Sequence, residues 1–143
     1  MIILDTNVIS EVLRPKCDAR VLAWLDAQFP ETLYLTAINT AELWAGIAIM
    51  PSGVKKTALD KGLDELLDRL FEGRRLAFDD KAAKSYAALM QKARSQGLAL
   101  PLADGLIAAI ASAHKFAVAS RDVSPFRAAG VKIINPWEYQ GAT

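Results

Sequence analysis

The sequence predicts an α/β fold in which helices cover both faces of a mainly parallel sheet. Short apolar runs such as Ile2–Leu4 and Ala117–Ala119 alternate with longer stretches whose apolar residues recur at helical spacing. This alternation indicates parallel strands, because two parallel strands need a long crossover connection between them. The chain has 143 residues and contains no repeat and no Gly/Ser/Pro-rich linker, so we expect one domain over residues 1–143.

The first half of the chain is predicted to contain two strands and four helices. Asp18 suits the N-cap of the second helix, whose inner face would carry Val21, Leu22 and Leu25. In chain order we predict a strand at Ile2–Leu4, a helix at Val8–Leu13 ended by Pro15, the helix that begins after Asp18 and ends before Pro30, a strand at Thr32–Leu35, and helices at Thr36–Met50 and Lys55–Phe71.

The second half is predicted to contain three strands, two long helices and one short turn or helix. Asp79 suits an N-cap, Gly97 suits a helix C-terminus, and Pro101 suits a first helical turn. In chain order we predict a strand at Arg75–Phe78, helices at Asp80–Gln96 and Pro101–His114, a strand at Ala117–Ala119, a short turn or helix at Pro125–Ala129, and a strand at Val131–Ile134 that Pro136 closes.

Composition excludes several kinds of functional site. The single cysteine, Cys17, and the single histidine, His114, allow neither an intramolecular disulfide nor a zinc site built from Cys or His. A net charge of +1 provides no strong field that would attract nucleic acid, so such a partner would depend on local patches or on bound metal. Since no apolar run suits a signal peptide or a membrane span, we expect a cytoplasmic protein without membrane contact.

Four acids are predicted to meet at one rim of the sheet. Asp5 follows the first strand and Asp122 follows the Ala117–Ala119 strand, whereas Glu42 and Asp104 lie early in helices. A crossover helix runs opposite to its strands, so its first turn lies at the edge where those strands end. Open α/β sheets bind their ligands at that edge. The topology therefore indicates one acidic constellation built from distant parts of the chain.

Each acid taken alone also has a purely structural explanation. Glu42 lies three residues after Asn39 and could close a capping box with it. Asp5 and Asp122 could be cap or turn residues, and Asp104 could complement a helix dipole. Together, however, four carboxylates in largely apolar segments repel one another unless a cation neutralises them. Mg²⁺ and Mn²⁺ prefer such oxygen ligands, and the site would suit hydrolysis of a phosphodiester.

The sequence resembles PIN-domain ribonucleases of the VapC toxin type. The order and separation of the matching motifs extend from Ile2 to Trp137, and the closing Asn135–Trp137 resembles the FitB-like branch in particular. The resemblance implies a PIN-like three-layer α/β/α sandwich formed by a single PIN domain. The segments that carry it are Met1–Ser10, Ala41–Leu43 with Gly46, Ala103–Ala109, and Ala119–Asp122.

The resemblance also implies an activity, partners and residue roles. It implies a Mg²⁺- or Mn²⁺-dependent endoribonuclease, the toxin of a type II toxin–antitoxin pair. The toxin would form a homodimer, would be inhibited by a small VapB-like antitoxin that occludes its site, and would contact operator DNA only through that antitoxin. Asp5, Glu42, Asp104 and Asp122 match the metal-site and catalytic acids of the family, and Thr6, Asn7 and Ser120 match polar positions that orient ligands or water.

One position departs from the family pattern. Many VapC proteins have Asn where this chain has Asp122, and they have another acid three residues later. Here that later position is Pro125. We therefore expect Asp122 to take over what two residues share elsewhere.

Two other functions stay open at this point. A receiver-like regulatory domain would also combine an α/β sheet with an acidic Mg²⁺ pocket. Its adjacent acidic pair is missing, however, because the first strand ends in Asp5 alone, and Val131–Ile134 runs into Asn135 and Pro136 without the expected lysine. A catalytically inactive module that only binds an antitoxin is the second alternative, and an activity assay would identify it.

Basic and aromatic residues have two explanations each. The tryptophans could stack on RNA bases, but packing in the core or in a dimer interface suits them better. A set of lysines and arginines could face RNA or could simply form a solvated helix face, and it comprises Lys55, Lys56, Lys61, Arg69, Arg74 and Arg75.

Overall fold

The computed structural model describes residues 1–141 and contains a five-stranded sheet. The strand order is β3-β2-β1-β4-β5, and every pairing is parallel. The predicted α/β class with a mainly parallel sheet is therefore confirmed. The strands are β1 at Ile2–Leu4, β2 at Leu33–Thr36, β3 at Arg75–Leu76, β4 at Ala117–Ala119 and β5 at Ile133–Ile134.

Strand β1 lies at the centre of the sheet. Strands β2 and β3 lie on one side of it, and β4 and β5 lie on the other. Ile2 pairs with Leu33 of β2 on one side and with Ala117 of β4 on the other. The backbone N–H of Asp5 continues this pairing by donating to the carbonyl of Ala119 at 2.9 Å. A strand order that reverses in this way opens a crevice at the carboxyl ends of the strands, which is where such sheets bind ligands.

The helices occupy the predicted parts of the chain, and most ends differ from the prediction by one or two residues. Asp18 and Asp79 are N-caps as predicted, since their carboxylates accept backbone N–H groups of Arg20 and Ala82 at 2.8 and 2.9 Å. The helices are α1 at Thr6–Val12, α2 at Ala19–Asp26, α3 at Ala37–Ala48, α4 at Val54–Phe71, α5 at Asp80–Ser95, α6 at Leu102–His114 and α7 at Val123–Ala128. Across residues 1–141, none of them is both long and apolar enough to cross a membrane.

Strand β3 ends at Leu76 and not at Phe78, and three of the other predicted ends that are wrong have local causes. Helix α1 begins at Thr6 because the Asp5 carboxylate accepts the N–H of Thr6 and caps the helix. Strand β2 does not include Thr32, which ends a 3-10 turn and donates its hydroxyl to the Phe29 carbonyl at 2.7 Å. Strand β5 does not include Val131, whose N–H donates to the Phe126 carbonyl and closes the turn after α7.

The inner face of α2 also differs from the prediction. Val21 and Trp24 are buried there and Leu25 is partly buried, whereas Leu22 is 43% exposed. The buried positions follow the i, i+3, i+4 spacing of a helix stripe, and Leu22 lies outside that stripe. Trp24 and Trp137 are buried in the core and Trp44 packs against it, so the tryptophans are core residues.

Two apolar clusters pack on the two faces of the sheet. Ile3 and Leu4 belong to different clusters, because successive side chains of a strand point to opposite faces. Helices α1 to α4 supply the Leu4 cluster, and α5 to α7 supply the Ile3 cluster. Helix α6 is buried without interruption over residues 107–111, so it is held firmly against the sheet. That packing determines where the first turn of α6, which carries Asp104, can lie.

Candidate active site

The four predicted acids line one cleft at the carboxyl edge of the sheet. Asp5 follows β1, Asp122 follows β4, Glu42 lies in α3, and Asp104 lies in the first turn of α6. The cleft has a volume of about 430 Å³. Its other lining residues are Thr6, Asn7, Ser10, Glu11, Arg14, Arg121 and Trp137.

Asp5 is the most buried of the four acids, with only 5% of its surface exposed. Its Oδ1 accepts the N–H of Thr6 at 2.8 Å, and its Oδ2 accepts the hydroxyl of Ser120 at 2.7 Å. Burial raises the pKa of Asp5, and the charges of Glu42 and Asp122 raise it further, while these two hydrogen bonds partly offset the rise. The carboxylate is thus held in one orientation at a site where its charge is costly.

Ser120 connects two segments around that carboxylate. Its side chain is fully buried, and besides donating to Asp5 its oxygen accepts from Nδ2 of Asn7 at 3.2 Å and from the N–H of Asp122 at 3.0 Å. The amide oxygen of Asn7 in turn accepts the N–H of Arg121 at 3.3 Å. The start of α1 and the segment after β4 are therefore joined by the side chains of Asn7 and Ser120, two of the polar positions predicted beside the site.

Glu42 is positioned from α1 through a hydroxyl. Thr6 donates its Oγ1 hydrogen to Oε1 of Glu42 at 2.7 Å, and Oγ1 of Thr6 itself accepts from Nδ2 of Asn39 at 3.2 Å. The alternative in which Glu42 closes a capping box with Asn39 is wrong, because the N-cap of α3 is Thr36 and its box partner is Asn39. Asn39 is fully buried and was not predicted as a site residue; its spacing from Thr36 was the signal available.

Among the described residues, Asp104 has no hydrogen bond comparable with those that hold Asp5 and Glu42. Burial raises its pKa to about 6, and the charges of Asp5, Asp122 and Glu42 contribute to that rise. Within residues 1–141, the ion pairs that form are Arg14–Glu11, Arg20–Asp18 and Arg75–Asp68, so none of the four cleft acids has a basic partner at ion-pair distance. Although Arg14 and Arg121 also line the cleft, no ion pair within the described residues offsets the charge of these four acids.

The donor set fits a hydrated divalent cation. Among the described residues, no three Asp, Glu, His or Cys side chains converge closely enough to form a ready-made ligand cluster. Mg²⁺ does not need one, because it usually keeps several waters and contacts only one or two carboxylates directly. A cleft lined by oxygen donors, with repulsion among its acids, suits that mode of binding.

Several cleft residues were not predicted from the sequence. Glu11 is 8% exposed and accepts from Arg14 at 3.2 Å and from the N–H of Asp18 at 3.0 Å, so it joins α1 to α2. Arg121 lies over the ring of Trp137, with its guanidinium carbon 5.3 Å from the ring centroid. The Glu11 contacts span three and seven positions, whereas the contact between Arg121 and Trp137 joins two separate elements.

The basic set considered in the sequence does not line the acidic cleft. Lys56 donates to the Ala48 carbonyl at 2.9 Å, and Arg74 donates to the carbonyls of Leu33 and Leu70. Arg75 pairs with Asp68 at 3.3 Å. These contacts favour a structural and solvated role over a single RNA-facing patch.

An apolar groove begins beside the cleft and shares residues with it. Thr6, Ser10, Arg14 and Glu42 line both. The groove continues between α1, α3 and α4, with a volume of about 430 Å³, and Lys55 also lines it. Its apolar surface comes from Leu13, Leu43, Ile47, Leu59 and Leu63.

The chain is similar in sequence and in structure to known proteins. Residues 2–132 match the PIN domain family. The chain is 54% identical over 138 residues to the VapC ribonuclease Y4jK of Sinorhizobium fredii, a match that covers 96% of this chain and 99% of the relative. It is 47% identical over 137 residues to the toxin FitB of Neisseria gonorrhoeae, again with 96% and 99% covered. A solved structure of FitAB bound to an IR36 DNA fragment is similar with a TM-score of 0.93 and 44% identity, covering 100% of both chains.

Proposed function

The chain belongs to the PIN-domain family, and from this premise we propose that it is a VapC/FitB-type toxin that hydrolyses RNA phosphodiester bonds with the help of Mg²⁺ or Mn²⁺. We take residues 1–143 as a single PIN domain. The observation that carries the proposal is the set of four carboxylates in one cleft without a basic partner at ion-pair distance in the described chain. The RNA substrate implies that the enzyme acts in the cytoplasm.

The four acids, Asp5, Glu42, Asp104 and Asp122, would hold the cation directly or through water. When bound, the ion would activate a water and offset the charge of the phosphate. Asp5 is held in orientation by Ser120 and Thr6, and Glu42 is held by Thr6. Asp104 has to lose its proton to act as a ligand, and with a pKa of about 6 it does so below physiological pH.

We propose that a small protein partner, a VapB-like antitoxin, binds in the groove beside the cleft. Its apolar floor between α1, α3 and α4 suits the apolar side chains of a partner segment, and it leads directly to Thr6 and Glu42 at the cleft. A chain seated there would reach the acids and block RNA. Operator DNA would then be bound through the antitoxin rather than by the toxin.

A homodimer is supported by apolar surface in another part of the chain. Leu98 and Leu102, around the loop between α5 and α6, are 45% and 67% exposed. Large exposed apolar side chains grouped in one loop are typical of protein–protein contacts. We propose that this loop contributes to the contact between two copies of the toxin.

RNA cleavage by purified toxin free of antitoxin tests the proposed activity. A mixed RNA pool is incubated with Mg²⁺ or Mn²⁺, and then with chelator, using the wild type, Asp104→Asn, and Asp64→Asn. Asp64 is an exposed residue of α4 outside the cleft, so its variant removes the same charge elsewhere. We expect metal-dependent cleavage by the wild type and Asp64→Asn, and a loss of about a hundredfold or more in Asp104→Asn.

Other outcomes would reject the proposal and indicate a different function. Cleavage that survives both chelator and Asp104→Asn would assign the activity to another site or to a contaminant. A folded wild type that binds antitoxin but cleaves no RNA would be an inactive binding module. Stable labelling by a small phosphoryl donor would support the receiver-like alternative, although within residues 1–141 no lysine lines the acidic cleft.

A further inference from the structure

Arg121 is a cation at the acidic cleft that the chain does not neutralise. It lines the cleft and is exposed to solvent. Within residues 1–141, its guanidinium takes part in neither an ion pair nor a side-chain hydrogen bond, although Asp122 is its neighbour in the chain. Its close contact is instead the ring of Trp137, 5.3 Å from the guanidinium carbon to the ring centroid.

The surroundings of Arg121 hold it in place. Its backbone N–H donates to Oδ1 of Asn7 at 3.3 Å, which ties the residue to the start of α1. Trp137 is only 6% exposed and belongs to the apolar core, so its ring is held in place, and its backbone N–H donates to Oδ1 of Asn135 at 3.0 Å. A guanidinium that lies over a ring makes a cation–π contact that uses none of its N–H donors, so those donors stay available to a ligand.

The other arginine of the cleft provides the contrast. Arg14 lines the same cleft, but its guanidinium pairs with the buried carboxylate of Glu11 at 3.2 Å. That pair satisfies one of its donors and offsets its charge. Of the two arginines that line the cleft, Arg121 is therefore the one with its full charge available to an incoming anion.

We propose that Arg121, held against Trp137, binds a backbone phosphate of the RNA next to the phosphate that is cleaved. A planar fork of N–H donors matches phosphate oxygens, and pre-orientation by the ring reduces the entropy lost on binding. Trp137 does not itself stack on a base, because its ring is buried and covered by the arginine. Arg121 also gives the RNA backbone an attractive contact beside four repelling carboxylates. This inference rests on the proposed ribonuclease function.

The salt dependence of RNA binding tests this role directly. A short single-stranded RNA is titrated with protein in the cleavage-deficient Asp104→Asn background, at fixed Mg²⁺ and several monovalent salt concentrations. We expect Arg121→Gln to weaken binding about tenfold at low salt. It should also reduce the slope of log K against log salt by about 0.7, the value for one phosphate contact on a single strand. Arg121→Lys should keep the slope but recover only part of the affinity.

Arg127→Gln is the matched control. Arg127 is exposed on α7, forms no ion pair within the described residues and does not line the cleft. It removes the same charge six residues away, so affinity should stay within about twofold with an unchanged slope. An unchanged slope in Arg121→Gln, or equal effects of the two variants in proteins of equal melting temperature, would overturn the inference.

Cleavage kinetics in the otherwise unmodified toxin separate this inference from the proposed function. Arg121→Gln should raise KM about tenfold while kcat changes little, since the contact lies beside the reacting phosphate. If the wild type cleaves RNA and Arg121→Gln binds and cleaves normally, the phosphate contact is wrong and the ribonuclease stands. If the wild type cleaves no RNA, the proposed function is wrong, and the binding titration still decides whether Arg121 contacts RNA.

Discussion

Asp18 and Asp104 both lie at the start of a helix, yet their surroundings shift their pKa values in opposite directions. Asp18 accepts from the backbone and the guanidinium of Arg20, and these contacts lower its pKa to about 2. Burial and three neighbouring acids raise the pKa of Asp104 to about 6. The charge of Asp18 is satisfied by its own chain, whereas Asp104 has no basic partner at ion-pair distance among the described residues.

The same contrast holds for the regions around these two residues. At the junction of α1 and α2, the acids alternate with basic partners, as in the pairs Glu11–Arg14 and Asp18–Arg20. Glu11 and Arg14 also line the cleft, but its other four acids lie together without a basic partner at ion-pair distance in the described chain. Acidic residues near a helix start are therefore informative about function when their neighbours fail to neutralise them.

The largest expected effect is on the rate of RNA cleavage, and it distinguishes an acid in the cleft from an acid outside it. Asp5→Asn should reduce metal-dependent RNA cleavage by about 10²–10³-fold, because it removes a carboxylate that we propose as a metal ligand and disturbs the bond from Ser120. Asp18→Asn should leave the rate within about twofold, since Asp18 does not line the cleft. Initial rates at saturating Mn²⁺ measure both. Comparable losses in the two variants would mean that the cleft acids have no special role.

A smaller effect is expected from the hydrogen bond that fixes the orientation of the Asp5 carboxylate. Ser120→Ala removes the hydroxyl that donates to Asp5 and that accepts from Asn7 and Asp122. We expect activity or apparent Mn²⁺ affinity to fall about 10- to 100-fold, as when a group that orients a metal ligand is lost. Cleavage measured over a range of Mn²⁺ concentrations reports both quantities.

Ser112→Ala is the control for that variant, because Ser112 is exposed on α6 and lies away from the cleft. It should behave as the wild type. A wild-type Mn²⁺ dependence in Ser120→Ala would show that the hydroxyl does not position Asp5 for metal.

The smallest expected effect concerns stability without metal. A carboxyl whose pKa is higher in the folded state binds its proton more tightly there, so the free energy of unfolding falls as pH rises from about 3.8 to about 6. In chelator at pH 7.5, Asp104→Asn should therefore be more stable than the wild type. The gain is on the order of 1 kcal/mol, after allowing for screening because Asp104 is only partly buried.

Urea unfolding at pH 5 and pH 7.5 in chelator measures this difference. The gain in Asp104→Asn should shrink at pH 5, where the wild-type carboxyl is largely protonated. Asp18 shows the opposite sign: its lowered pKa contributes stability that is present above pH 4 and is lost as pH falls toward about 2. Asp18→Asn should therefore not change the difference between pH 5 and pH 7.5. A gain for Asp104→Asn that is independent of pH would contradict the electrostatic explanation.

Much of the cleft was predictable because its acids follow locally recognisable elements. Asp5 comes directly after the apolar run Ile2–Leu4, and Asp104 follows the helix-starting Pro101. Asn39 and Arg121 escaped prediction as site residues for a different reason. Their contacts with Thr6 and Trp137 join elements that are distant in the sequence, and they depend on how α3 and the segment around Trp137 pack.

The sequence by itself determined the fold class, the approximate positions of the helices and strands, and the presence of four acids on elements that reach the carboxyl edge. These features depend on periodicity and on turn and cap residues, which act over a few neighbouring positions. The tertiary structure decided the strand order β3-β2-β1-β4-β5 and the bond between Asp5 and Ser120, 115 positions apart. It also decided that the pKa of Asp104 rises whereas that of Asp18 falls, because burial and charge repulsion depend on which distant segments pack around a carboxylate.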